Sequence, residues 1–311
     1  MRVQAGVGLL GALLVAGACS ASRHSYPLHG ARPAPSTAPA PSDTARTPSS
    51  PVTSAPVLDP DVAPLPQGRG GLLAVVVDDV GGADTFLGDY LRLPIPLTLS
   101  VIPGFGHATA DDAAITAAGK EVLLHIPLPD RPGGRGQPDG LATGDGPAAV
   151  DRWIGAALAR VPHAVGANNH EGPFGSSSPP LMRALLGALA GRHLFYLDSV
   201  TSQSTVGFAL ERQVGLSPRI NNVFMDHLET DADSRAALLR LARIAASTGS
   251  AIGICHVFHP YELRAILALA PQLEAKGYAF VRLSEVTNGP TPDGLDGRVR
   301  TSIPASELGA I

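Results

Sequence analysis

The chain has 311 residues, a formal net charge of −4 at pH 7 and only 16% charged residues. Proteins that bind nucleic acids carry basic patches, commonly interleaved with aromatic side chains, and this sequence has no such patch. We therefore exclude nucleic acid as a partner. Periodic apolar patterning is confined to a stretch of about 220 residues, which is enough for one domain with a sizeable core.

The first 19 residues have the features of a bacterial export signal. Arg2 supplies a positive start, and the apolar run 7–15 that follows is too short to span a bilayer comfortably. Residues 16–19 read Ala-Gly-Ala-Cys and resemble a lipobox, with alanine at the position where leucine is commonest. We predict a lipoprotein-type signal peptide at 1–19, with a lipid on Cys19 as the membrane anchor. The alternative is an ordinary cleaved signal with an incidental cysteine.

Residues 20–70 are rich in proline, alanine, serine and threonine. Such a composition cannot bury enough apolar surface to fold, so we predict a disordered linker that acts as a spacer. Together with the signal, it indicates an exported protein on the periplasmic or cell-surface side, held at a membrane as a lipoprotein. Cys255 is the second of two cysteines, so acylation of Cys19 would leave no possible disulfide.

A different pattern starts at residue 71 and predicts an α/β domain over 71–288. Apolar, β-rich runs occur at 72–77, 96–102, 121–127, 164–169, 194–199, 221–226, 251–256 and 279–284. Helical patterns lie between most of them, at 107–118, 147–160, 180–191, 231–248 and 261–276. This alternation with buried strands predicts a parallel sheet, either open and doubly wound or closed into a barrel. Residues 289–311 return to a polar composition and are predicted to be a loose tail.

Polar side chains follow the ends of these apolar runs. They are Asp78, Asp79, His125, Asn168, Asn169, His170, Asp198, Asp226 and His256. Because the carboxyl ends of parallel strands form one rim, we expect these side chains to converge there. Two imidazoles and one carboxylate are ligands typical of a catalytic Zn²⁺ or a similar divalent ion.

The ordered set of motifs resembles the divergent polysaccharide deacetylase family of bacterial envelopes, a remote relative of the NodB-type deacetylases. The motifs are VVVDDVGG, PLTLSVIPG, GKEVLLHIPL, VGANNHEGP, YLDSVTSQS, NNVFMD and AIGICH, and the likeness covers residues 71–287. The resemblance implies a distorted parallel (β/α) barrel of seven to eight strands, NodB-like, and metal-assisted removal of acetyl groups.

The resemblance also implies roles for individual residues. Asp78 corresponds to the general base and His256 to the proton donor. The expected metal ligands, for a divalent ion such as zinc, are Asp79, His125 and His170. The expected second-shell or substrate-binding residues are Asn168, Asn169, Asp198 and Asp226. Asp198 in particular would either orient a histidine or cap the rim.

Three departures from the family patterns affect the site. Pro129 stands where the NodB-type pattern has a second histidine, and the asparagine-histidine motif continues as Glu-Gly-Pro from residue 171. Cys255 precedes His256, where the divergent family has glycine. Cys255 could be a soft ligand, but a small buried residue on a core strand is the better interpretation. His259 could join the site, although a solvent-facing position at the start of a helix is favoured.

The sequence thus predicts a metal-dependent carbohydrate deacetylase-like hydrolase that acts on an envelope polysaccharide or a peptidoglycan-like glycan. Two other functions are open. One is a non-catalytic envelope protein that keeps the scaffold to bind glycan or protein, which Pro129 and the altered histidine loop favour. The other is a different metal hydrolase, such as an amidase, on the same scaffold.

Overall fold

The computed structural model describes Leu65 and residues 70–82 and 86–286. The predicted signal peptide (1–19) with Cys19 and the predicted tail (289–311) lie outside the described residues. So does the predicted linker, except for its residues Leu65 and Gly70. Leu65 is buried, and its carbonyl accepts a hydrogen bond of 2.9 Å from Lys276 Nζ.

Eight parallel strands form one sheet in the described part of the chain. They are β1 (Gly71–Val80), β2 (Thr98–Val101), β3 (Glu121–Pro127), β4 (Ala164–His170), β5 (Phe195–Leu197), β6 (Val223–Phe224), β7 (Ser250–His256) and β8 (Tyr278–Val281). Their order is β5-β4-β3-β2-β1-β7-β6, and β8 pairs with β1. On the edge of β1 away from β7, β8 pairs with residues 71–74 and β2 with 76–80.

The sheet curls toward closure at its two outer strands. Just after β5, Asp198 forms a parallel bridge with Ile220, which lies ahead of β6. The Asp198 amide donates to the carbonyl of Arg219 at 3.0 Å, and its own carbonyl accepts from Asn221 at 2.9 Å. The predicted distorted parallel barrel of seven to eight strands is therefore confirmed.

Helices connect the strands and cover the outside of the sheet. They are α1 (Leu87–Arg92), α2 (Ala108–Ala117), α3 (Pro147–Leu158), α4 (Pro173–Ser176), α5 (Pro179–Ala190), α6 (Gly207–Glu211), α7 (Asp231–Thr248) and α8 (Tyr261–Ala275). Short 3₁₀ turns occur at Arg212–Val214 and Leu283–Glu285. The longest helix, α7, has clear signals at both ends: the Thr230 side chain accepts from the Asp233 amide at 3.1 Å, and Gly249 follows with φ of 91°. None of the described helices is long and apolar enough to cross a membrane.

Alternate residues of each strand point into two separate apolar layers. The inner layer fills the barrel and consists of Ala74, Val76, Leu123, Leu197, Ile252, Ile254, Leu283 and Val286. The outer layer lies between sheet and helices and includes Leu73, Val75, Val77, Val122, Leu124, Leu185, Leu241 and Ile266. This strict alternation decides which polar residues at the strand ends point into the barrel.

Candidate metal centre and active site

The polar residues of the site continue the inward-facing positions of the strands. Asp78 lies two residues beyond the inner Val76, and His256 lies two beyond the inner Ile254. The strand register also places Asp78 beside His256, since these two residues are partners in the β1–β7 pairing. Because side chains of a strand alternate between its two faces, Asp78 and His256 point to the same inner side as Val76 and Ile254. They lie at the polar upper end of the barrel, beyond its apolar interior.

Asp79 reaches the same cavity as Asp78 although adjacent strand residues normally point to opposite faces. The pairing of β1 with β2 shifts register between Val77 and Val80, and Asp79 has φ of 66°. A bulge with a left-handed residue re-aims a side chain, at a conformational cost that is usual near functional sites. The bulge therefore lets two neighbouring carboxylates serve one site.

Asp79, His125 and His170 form a compact cluster whose ligand atoms all lie within 4.8 Å of one another. Asp79 Oδ1 is 3.1 Å from His125 Nε2 and 2.8 Å from His170 Nδ1. Atoms that share one Zn²⁺ at about 2.0–2.2 Å lie about 3–4 Å apart, which is close to these separations. One carboxylate and two imidazoles also form the donor set that a catalytic divalent ion uses, so these residues fit a metal ion.

Asn168 holds the general-base candidate and a metal-ligand candidate together. Its Nδ2 donates to both oxygens of Asp78, at 2.9 and 3.0 Å, and its Oδ1 lies 2.8 Å from His125 Nδ1. Since a carboxylate can only accept, the amide nitrogen must face Asp78, and His125 Nδ1 must be the donor to Oδ1. The Ser100 hydroxyl also donates to Oδ1. When a metal ion is bound, His125 Nε2 would therefore offer its lone pair to the ion, while Nδ1 stays the donor to Asn168.

The pKa values of the cluster reflect burial opposed by charge. Burial raises the pKa of the Asp78 carboxyl above its ordinary value, although nearby His125 and His256 act against the shift. Burial alone would raise the pKa of Asp79 as well, but hydrogen bonds from His125 and His170 hold it below its ordinary range. For His125, burial lowers the pKa, and the two carboxylates outweigh this and raise it.

His256 forms a tight pair with Asp226. Asp226 Oδ2 accepts from the His256 backbone amide at 2.8 Å and lies 2.7 Å from His256 Nδ1. Burial would lower the pKa of His256, but Asp226 and the carboxylates of Asp78 and Asp79 raise it to about 10. The imidazole is therefore held as a proton-bearing cation that faces the cavity, and Asp226 orients its ring.

The other two predicted supporting residues organise loops around the cavity. Asn169 Oδ1 accepts from the Tyr196 hydroxyl at 2.9 Å, and its Nδ2 donates to Thr201 Oγ1 at 3.0 Å. The Asp198 carboxylate binds the loop after β5 and makes no hydrogen bond to a histidine among the described residues. Asp198 accepts from the Val200 amide at 2.9 Å and the Thr205 hydroxyl at 2.7 Å.

A cavity of about 290 Å³ contains this chemistry, and part of its wall was not foreseen. The additional lining residues include Ser199, Thr201, Phe224, His227, Glu229 and Phe258. Phe224 ends the two-residue strand β6, and the others lie on loops, where no strand periodicity reveals which side chains face the cavity.

The structure decides the two alternatives left open beside His256. The expectation that His259 faces solvent is wrong: its side chain is only 17% exposed and lines the cavity. The reason is that the rings of Phe258 and Tyr261 lie against it, at centroid distances of 4.5 and 6.1 Å. Cys255 is fully buried with its thiol 3.7 Å from the Val76 carbonyl, as expected for a core residue.

The fold and the site define a class of parallel α/β barrels with a carboxylate–imidazole cluster at the upper end. Within this class, the chain belongs to the divergent polysaccharide deacetylase family, whose model matches residues 75–287.

The chain is similar to the uncharacterized protein YibQ of Escherichia coli K12, with 30% identity over 223 residues, covering 72% of this chain and 69% of the relative. An uncharacterized protein of Haemophilus influenzae is 30% identical over 184 residues, covering 59% of this chain and 66% of the relative. Among solved structures, an uncharacterized protein of Agrobacterium tumefaciens C58 matches with a TM-score of 0.65 and 25% identity, covering 75% of this chain and 97% of that one.

Proposed function

We propose that this protein is a metal-dependent hydrolase that removes acetyl groups from an envelope polysaccharide or a peptidoglycan-like glycan. The observation that carries the proposal is the placement of two chemically different groups in one cavity. A carboxylate–imidazole cluster fit for a cation lies beside the protonated His256–Asp226 pair. Membership of the deacetylase family supports acetylated glycan as the substrate class.

Asp79, His125 and His170 would hold the ion, which when bound would polarise an acyl carbonyl and make a nearby water more acidic. Asp78 is the carboxylate next to this cluster, and its two oxygens are fixed by Asn168. It is therefore positioned to take the proton of the attacking water. His256 bears a proton at the cavity and gives it to the leaving nitrogen or oxygen, while Asp226 stabilises the charged ring.

The test combines metal analysis with turnover. We expect the full chain, purified under metal-replete conditions, to contain about one divalent ion, and His125→Ala or His170→Ala to lose it, since three protein ligands leave none to spare. His256→Ala should keep the metal and turn over roughly 10²–10⁴ times more slowly. His107→Ala, an exposed histidine away from the cavity, is the control for both measurements.

Two results would point elsewhere. If the wild-type protein holds no metal, or both ligand variants keep full occupancy, the hydrolase proposal fails and the non-catalytic glycan- or protein-binding scaffold becomes the better account, as Pro129 suggests. If metal is bound but acetylated chito-oligosaccharides and peptidoglycan are both inert while amides are cleaved, the amidase alternative is favoured.

The cellular location is a second part of the proposal. The composition of residues 1–70 supports export and lipid attachment at Cys19. Mass spectrometry of the mature amino terminus should find a diacylglyceryl-modified Cys19 in a membrane fraction. A terminus at Ser20 or later without lipid would instead mean a soluble exported protein.

A further inference from the structure

Four large apolar side chains are exposed in the described part of the chain, with exposed fractions between 43% and 63%. They are Val165, Leu228, Phe258 and Leu267. Phe258 is the aromatic member of this group, is 50% exposed, and lines the cavity that contains Asp78 and His256. Isolated exposed apolar residues are common, so the position of Phe258, more than its exposure, calls for explanation.

The turn that carries Phe258 is fixed on both sides. The buried Val257 donates its amide to the Asp78 carbonyl at 3.1 Å, and the His259 amide donates to the His256 carbonyl at 3.3 Å. The Tyr90 hydroxyl donates to the His259 carbonyl at 3.2 Å. The Phe258 ring is therefore presented by backbone that is already ordered, so a ligand would pay little conformational entropy to use it.

The ring itself is held against the imidazole of the proton donor. Its plane lies 21° from that of His256 at a centroid distance of 5.5 Å, and His259 packs edge-on at 4.5 Å. The rest of the ring surface is open. A group that covers it must lie directly beside whatever occupies the position in front of His256.

We propose that Phe258 is a stacking platform for one sugar ring, the pyranose next to the unit whose acetyl group lies at His256. This inference rests on the proposed function and adds a binding subsite to it. The face of a pyranose that carries axial C–H groups is apolar and weakly positive, which suits the negative face of an aromatic ring. Contact between them removes apolar surface of both from water.

The surroundings of the Phe258 platform favour a sugar over an apolar protein segment. Ser199, Thr201 and Glu229 line the same cavity, and their hydroxyl and carboxylate groups need hydrogen-bond partners when covered. Thr201 Oγ1 and Ser199 Oγ already bond to Asn169 and Asn168, but an apolar peptide would cover the largely exposed Glu229 carboxylate without offering it a hydrogen bond. A sugar presents an apolar face to the ring and hydroxyl groups around its edge, and so satisfies both kinds of surface.

The test uses the full chain and chito-oligosaccharides of one to five N-acetylglucosamine units. We expect Phe258→Leu to weaken binding of the longer oligosaccharides by about three- to tenfold, measured as Kd by calorimetry. The single sugar should be unaffected, because it does not extend to the platform. Phe258→Trp should restore the length dependence, and Leu267→Ala, an equally exposed side chain on α8, should behave as wild type.

The inference is overturned if Phe258→Leu binds every length as wild type does, if it weakens the single sugar equally, or if wild type shows no preference for longer oligosaccharides. These results differ from failure of the proposed function, which is loss of turnover or of metal binding in the wild type. Since binding by calorimetry requires no turnover, the Phe258 platform can be judged even if no acetyl group is removed.

Discussion

At the scale of single residues, Asn168 is the side chain on which most of the site depends. It is fully buried and makes hydrogen bonds to Asp78, His125 and Ser199 at 2.8–3.2 Å. No other group within the described residues hydrogen-bonds both the base candidate and a ligand candidate. Its two amide atoms differ in chemistry, so the asymmetry of the amide fixes which neighbour must donate and which must accept.

Asn168→Leu should therefore damage both stability and metal binding. The replacement keeps the branching at Cγ but cannot form hydrogen bonds, so it leaves Asp78 and His125 Nδ1 buried without their partners, a cost of about 1–3 kcal/mol for each group. We also expect metal affinity to fall by about 10–100-fold, as for loss of a residue that orients a ligand. Urea unfolding and metal titration would measure the two effects. Ser100→Ala is the control, since it removes one donor to Asn168 and leaves the other contacts; equal losses in both variants would contradict this role.

The Asp226–His256 pair predicts how activity depends on pH. The pKa of His256 is raised to about 10, and a general acid works only while protonated, so activity should fall as pH rises through that value. Asp226→Asn removes the negative charge and brings the pKa of His256 back toward its ordinary 6.5. The alkaline limb of the profile of kcat/KM should then move to lower pH by at least about 1 unit.

Asp231→Asn serves as the control for this measurement, since Asp231 pairs with Arg264 at 2.7 Å and both side chains are about half exposed. Its pH profile should match the wild type. Asp78 and Asp79 remain in both variants and keep part of the upward shift in the pKa of His256. An unchanged alkaline limb in Asp226→Asn would mean that His256 is not the group that titrates.

At the scale of secondary-structure elements, α8 contains a proline in its interior. Pro271 lacks an amide hydrogen and its ring crowds the carbonyl of Leu267, one turn earlier, so it weakens the helix. Because Pro271 is exposed, alanine can replace it without loss of packing. We expect Pro271→Ala to raise the free energy of unfolding by up to about 3 kcal/mol, measured by denaturant titration.

Glu274→Ala in the same helix exchanges one good helix former for another and should change stability by less than about 0.5 kcal/mol. If Pro271→Ala is no more stable than this control, Pro271 does not weaken α8 in the folded protein, and the prediction is wrong.

The elements were predictable where length and period give a clear signal. The apolar run 121–127 coincides with β3, and the patterns 231–248 and 261–276 match α7 and α8 to within a residue. The helices α1, α4 and α6 contain 6, 4 and 5 residues, too few for a helical period to be recognised.

The residues that meet at the rim of the barrel were predictable from the sequence, but their hydrogen-bond partners were not. Strand ends and family resemblance bring Asp78, His125 and His256 to one rim, because the carboxyl ends of parallel strands must meet. The bulge that turns Asp79 inward and the choice of Asp226 as partner of His256 depend on local backbone geometry. Neither leaves a pattern in the sequence, so only the three-dimensional arrangement shows them.

At the scale of the whole molecule, a bound metal should stabilise the fold. The three ligand candidates come from β1, β3 and β4, so an ion that joins them favours the native state over the unfolded chain. At a free metal concentration 100 times the Kd, the gain is about 2.7 kcal/mol, which corresponds to a rise in Tm of roughly 5–10 °C for a domain of this size.

Thermal unfolding of the full chain with zinc and with a chelator would measure this shift. His170→Ala should show no difference between the two conditions, whereas the exposed-histidine variant His107→Ala should respond as wild type does. A wild-type Tm that is the same with zinc and with chelator would contradict the predicted coupling.

The pairing of β1 with β7 and β8 also constrains how the polypeptide can acquire its structure. Leu72 pairs with Ser250, and Gly71 pairs with Tyr278. The first strand of the domain therefore has neighbours that lie near the C-terminal end of the domain. Contacts so distant along the chain close slowly, because a long loop must be ordered before they form. A polypeptide still being synthesised therefore carries its longest strand without these partners until nearly the whole domain has been made. Any fragment that stops before residue 250 should be prone to aggregation and dependent on a chaperone.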